Sequence, residues 1–119
     1  MNFLLVFLGG GFGSLLRYSI SKLFPVTNYE SFPIATFLSN IAACLFMGIV
    51  ILFLRDKTDT QNWQLFFITG VCGGFSTFST FSLETIQLVQ AQQYMYAGLN
   101  IFLSVISCLI ILYLFVKTN

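Results

Sequence analysis

The chain has 119 residues, of which 57% are hydrophobic and 8% charged, with a formal net charge of +1 and a mean hydropathy of +0.89. Five basic and four acidic residues supply neither the polar shell that a soluble domain of this size needs nor the cationic cluster that phosphate neutralisation requires, so lipid replaces water as the main solvent and nucleic acid is excluded as a partner. Histidine is absent, and Cys44, Cys72 and Cys108 lie in separate apolar runs. That leaves neither zinc-ligand spacing nor a disulfide framework, and the thiols read as buried small hydrophobes.

Four apolar windows, 3–24, 32–54, 63–89 and 96–116, are each long enough to cross a hydrocarbon layer of roughly 30 Å, which takes about 20 helical residues. They describe an all-α integral membrane protein, a single transmembrane domain over 1–119 with four transmembrane helices. The first window lacks the basic start and cleavage site of a signal peptide and runs on through Arg17 to Phe24, so it reads as a retained helix. Within it, the four-residue spacing of Gly9 and Gly13 lets another helix approach closely. No strand precedes these glycines, which excludes a phosphate loop. Arg17 lies about a turn further on. At the centre of a membrane an Arg costs about 2.5–3.5 kcal/mol on insertion scales, so it faces water, a partner or an anion route.

Residues 25–31 form a polar turn in which Pro25 stops the first helix, and Pro33 is tolerated in the first turn of the second. In the second window Thr36, Ser39 and Asn40 interrupt an apolar sequence. The Asn40 amide finds no partner in hydrocarbon, so it faces protein or a wet cavity; an interhelical hydrogen bond and a pore are both open to it. The mixed-charge run 55–59 reads as a solvated loop. Four spans put both termini and this loop on one face, with Arg55, Lys57 and Lys117 there and Lys22 opposite. That balance is a poor orientation signal, and two-way insertion is physically reasonable.

The third window is the informative one. Gly73-Gly74 weakens a helix, the hydroxyls that follow offer alternative backbone bonds, and a break near Gly73-Gly74 is expected. Irregular backbone inside a bilayer survives only where it is buried in protein or lines a cavity, and freed carbonyls there make a natural cation site. Beyond the glycines Phe75, Phe78 and Phe81 recur every third residue, with Ser76, Ser79 and Ser82 one position behind. Positive ring edges beside hydroxyl donors can solvate a small dehydrated anion, although Phe at helical spacing more often packs. Glu84 is an intramembrane carboxylate and hence a functional candidate. In the fourth window Asn100, Ser104, Ser107 and Cys108 form a narrow polar seam that either lines a path or joins two helices.

The run 70–84 resembles the signature of the Fluc (CrcB-type) fluoride channels almost position by position. The Gly-rich opening before Arg17-Tyr18, the stretch from Pro33 to Asn40 and the seam of the fourth helix extend the likeness over nearly the whole chain. The resemblance implies an antiparallel, dual-topology homodimer in the cell inner (plasma) membrane, with two anion pores and a central structural Na+. By position, the Na+ would be held by the backbone carbonyls of Gly73 and Ser76. Asn40, Phe78 and Phe81, with Thr36, Ser79, Thr80, Ser82, Asn100 and Ser104, would line the fluoride path, and Arg17 and Glu84 would sit at its vestibule. Two positions depart from the family pattern: Ser76 replaces the usual Thr, which leaves a carbonyl ligand intact, and Asn100 replaces a common pore-facing Tyr.

The function so implied is passive fluoride export, giving fluoride resistance, by a channel and not an enzyme. Fluoride enters acidified cells as HF and ionises inside. A negative-inside potential, worth about 2.3 kcal/mol per charge per 100 mV, then drives the anion out. The alternative is a small proton-coupled multidrug exporter with Glu84 as the coupling acid. It fits less well, because the first helix carries Arg17 and no acid.

Overall fold

The structure, a computed structural model, describes residues 1–26, 28 and 30–118. Thr27 and Tyr29 of the expected 25–31 turn, and Asn119, lie outside the described residues. The described residues form helices joined by short connections, with no strand among them, and four of the helical stretches are long and apolar enough to cross a membrane. We label them α1 (Asn2–Leu23), α2 (Ile34–Leu54), the two parts α3 (residues 61–75) and α4 (Phe78–Gln90) of a broken third span, and α5 (Tyr94–Lys117). Pro33 is the N-cap of α2, where its missing N–H costs nothing.

Packing pairs the helices out of sequence order: α1 lies chiefly on α3, and α2 chiefly on α5. Glycines make the first pairing. Gly9 on α1 faces Gly70 on α3, Gly13 faces the backbone of Val71 and Phe75, and Gly74 faces Gly10 and Ser14. A Cβ on Gly9 would meet the Phe66 carbonyl and stand 3.0 Å from Gly70 Cα, and one on Gly70 would lie 2.9 Å from Gly9 Cα. Backbone touches backbone there, which only glycine permits. On the other pairing Gly48 receives the Phe115 ring of α5.

The middle of α3 is not an ordinary α-helix. From Gln64 to Cys72 its backbone is π-helical, a wider turn closed by i→i+5 hydrogen bonds that occurs mostly at functional sites. The helix break expected near Gly73-Gly74 falls just beyond the two glycines. Gly73 keeps helical angles (φ −63°, ψ −36°), Gly73 to Phe75 remain helical, and the chain turns extended at Ser76 (φ −84°, ψ 153°) and Thr77 (φ −148°, ψ 120°). The physical reason is twofold. Gly74 is held in the helix by its contact with Gly10 and Ser14 of α1, whereas Thr77 has a partner elsewhere for its N–H, described below.

Candidate functional site

The break is built from side-chain hydrogen bonds that replace lost backbone ones. In a continuous helix Thr77 N–H would donate to the Gly73 carbonyl. Here it donates to Asn40 Oδ1 of α2 at 3.0 Å. Thr77 then caps the next helix, its Oγ1 accepting from Thr80 N–H at 3.3 Å and lying 3.2 Å from Ser79 Oγ. Ser76 closes the helix before it, its N–H and hydroxyl both reaching the Cys72 carbonyl at 3.0 and 2.9 Å. Arg17 Nε donates to the Gly74 carbonyl at 3.1 Å, so the intramembrane cation of α1 is bonded to backbone at the break. Its partner is thus a carbonyl dipole in protein, away from lipid.

Beside the break lies an open groove of about 250 Å³ lined by Asn40, Cys44, Ser76, Thr77, Phe78, Phe81, Ser104, Val105 and Cys108. Three helices and the extended segment thus bring together the Asn40 amide, the rings of Phe78 and Phe81 and two serines, Ser76 and Ser104, that the sequence singles out. The rings stand 5.7 Å apart at 37°. Phe81 is buried, while Phe78 is 80% exposed and projects beyond the chain's own packing. Because Asn40 Oδ1 is taken by Thr77, the donors the amide has left are its two Nδ2 hydrogens. The groove therefore offers amide donors beside two aromatic rings, whose edges are able to attract an anion.

One turn away on α2, a second cavity of about 450 Å³ is lined in part by Thr36, Thr80, Glu84 and Gln87. Thr36 Oγ1 donates to Glu84 Oε1 at 2.8 Å, and Glu84 Oε2 is buried without a hydrogen-bond partner among the described residues. An intramembrane carboxylate so placed has one oxygen fixed and one left for a transient partner.

The remaining predicted residues serve differently. Asn100 is 1% exposed, its Nδ2 donating to Thr85 Oγ1 at 2.9 Å and its Oδ1 accepting from Ser104 Oγ at 3.3 Å. Thr85 in turn donates to the Phe81 carbonyl at 2.8 Å. Asn100 is thus a clasp between α5 and α4 beneath the Phe81 backbone. Replacing it by Leu removes both of its bonds and is expected to lower unfolding stability in detergent by about 1–3 kcal/mol, read from a denaturation curve. Ser82 spends its hydroxyl on the Phe78 carbonyl at 2.8 Å, and Ser79 is exposed with its hydroxyl near Thr77. Gly73 is exposed, its carbonyl released by the diversion of Thr77 N–H to Asn40. Sequence reasoning missed Thr77 and Thr85. Both look like ordinary helix hydroxyls until their partners on α2 and α5 are in place.

Four apolar helical spans, the third broken at Ser76–Thr77, define a multi-pass membrane protein. The chain belongs to the CrcB-like family: the family model described as "CrcB-like protein, Camphor Resistance (CrcB)" matches residues 4–116. It is 41% identical over 111 residues to the "Fluoride-specific ion channel FluC" of Coxiella burnetii, covering 92% of this chain and 90% of that one. A protein of the same name from Flavobacterium psychrophilum is 46% identical over 99 residues, 82% of this chain and 80% of the relative. One from Helicobacter pylori is 42% identical over 101 residues, 82% and 78% of the two chains.

Proposed function

We propose that the chain is a fluoride-selective channel, not an enzyme, that lets F− leave the cytoplasm passively across the inner membrane. The observation that carries the reading is the groove in which Asn40, Phe78, Phe81 and Ser104 converge, in a chain whose relatives bear the name of fluoride-specific channels. A fluoride ion passing there exchanges water for the Asn40 Nδ2 donors and ring edges. A small anion gains most from closely spaced donors, which is the basis of selectivity over larger halides. Thr36, Thr80 and Glu84 form the approach to the groove from the larger cavity, and Arg17 lends positive charge near the break. The coupling acid of a drug exporter finds no support: Glu84 is tied to Thr36 and α1 carries Arg17 as its ionisable group at depth.

The working unit of this reading is an antiparallel homodimer. Its support is the Phe78 ring, largely exposed in the single chain, which would complete the lining beside a second copy. A structural Na+ fits the break by donor chemistry, since hard cations take oxygen ligands and the Gly73 carbonyl is freed by the Asn40–Thr77 bond. The Gly73 and Ser76 carbonyls would hold it; when bound, the ion supplies a fixed positive charge between the two copies.

The test is efflux from liposomes holding the purified protein, read with a fluoride electrode and repeated with chloride. Fast fluoride release with little chloride release is expected. Phe78→Ile or Phe81→Ile should cut the fluoride rate severalfold while the assembled protein elutes unchanged from a sizing column. Wild-type rates from both variants would remove the ring-edge role.

A further inference from the structure

The groove carries a pair of groups that fluoride passage does not use. Cys44 on α2 and Cys108 on α5 both line it beside Asn40 and Phe81. Cys44 stands one helical turn beyond Asn40 on the same face of α2, and neither cysteine is fully buried. Cys108 Sγ also lies 3.8 Å from the Asn40 carbonyl, which holds it against the α2 turn bearing the pore amide. Cys72 differs: it is buried, its Sγ 3.9 Å from the Ala43 carbonyl, and it is not part of the groove lining. Three cysteines that are far apart in sequence become, in the fold, one facing pair and one enclosed thiol.

Two neighbouring sulfurs facing a cavity, with no His, Asp or Glu in its lining, are the donor set of a soft metal ion that accepts two ligands in line. Hard ions need oxygen cages, whereas thiolates select thiophilic ions. We infer that Cys44 and Cys108 form a two-sulfur site for soft, linear-coordinating metal ions, and that an ion held there plugs the groove at the level of Asn40. Two S–H bonds break, two S–metal bonds form, two protons leave to solvent, and no oxidation state changes. The second bond closes within one molecule, so the bridged adduct outlasts one made by a single thiol. The site stands on the groove's geometry alone; the plugging rests on the fluoride reading above.

The experiment uses the reconstituted full chain and mercuric chloride, with intact-mass measurement and fluoride efflux on the same vesicles. Wild type and Cys72→Ser should gain one mercury for two lost protons and keep it through a monothiol wash. Cys44→Ser and Cys108→Ser should lose it about a hundredfold faster, and Cys44→Ala and Cys108→Ala should behave alike if serine disturbs packing. Mercury should stop efflux in wild type and Cys72→Ser, and a dithiol should restore it. Retention unchanged by Cys44 or Cys108 substitution, or lost with Cys72→Ser, overturns the site. A bridged adduct with undiminished efflux overturns the plug. Absence of efflux before mercury is added is a failure of the fluoride reading instead, and the mass measurement still decides the site.

Discussion

Asn40→Leu is expected to abolish fluoride efflux and to destabilise the chain together. Leu has the same branched skeleton but no polar atom. It removes the Nδ2 donors from the groove and takes away the Oδ1 that receives Thr77 N–H at 3.0 Å. An unpaired N–H at the break then costs about 1–3 kcal/mol. Asn40→Asp separates the two effects. Its carboxylate still accepts from Thr77, so the break is retained, but it places negative charge where the anion must pass. The expected result is near-native thermal unfolding in detergent with fluoride efflux at background. Efflux at the wild-type rate from Asn40→Asp would show that the amide's donors are not on the path.

Gly13→Val should destabilise the fold more than Asn40→Leu or Asn100→Leu. The new Cβ would press on the Val71 carbonyl and stand 2.8 Å from Phe75 N, both backbone atoms that no rotamer can move. Overpacking of ordinary cores costs about 1–3 kcal/mol; with backbone on the far side, α1 and α3 must separate and the loss lies at or beyond the top of that range. Little monodisperse protein should survive extraction. Gly11→Ala is the matched control, since a Cβ there meets nothing within 4 Å, and alanine's helix propensity makes it neutral or stabilising by up to about 1 kcal/mol. Equal yields from the two variants would remove the glycine contact as the basis of the α1–α3 pairing.

The membrane class was legible because long apolar windows have one physical meaning. The close approach at Gly9 and Gly13 was legible too, since small residues four apart face one way. A break near Gly73-Gly74 was legible as well, but the exact residues at which the chain opens were not. Gly73-Gly74 is the weakest helical pair in the window by propensity, yet contact with α1 keeps it helical and the chain opens at Ser76–Thr77. That choice depends on Asn40, which lies 37 residues earlier in the chain, and no local pattern reports it. The π-helical stretch is equally silent, because its residues have no propensity that separates i→i+5 from i→i+4 bonding. Asn100 reads as one member of a polar seam on α5; only the placement of Thr85 on the facing helix shows that its amide is spent on packing.

The order in which helices pair constrains how the protein is made. α1 finds its main partner in α3, and α2 finds its own in α5, so each of the first two spans leaves the ribosome before its main neighbour. The nascent chain must therefore hold two inserted helices in the bilayer, with only their minor contact to each other, until the later ones arrive. Orientation is consequently set by insertion before the main tertiary contacts form. Loops with so little charge bias leave that early decision nearly balanced, and quality control in the membrane meets the chain with its glycine faces still uncovered.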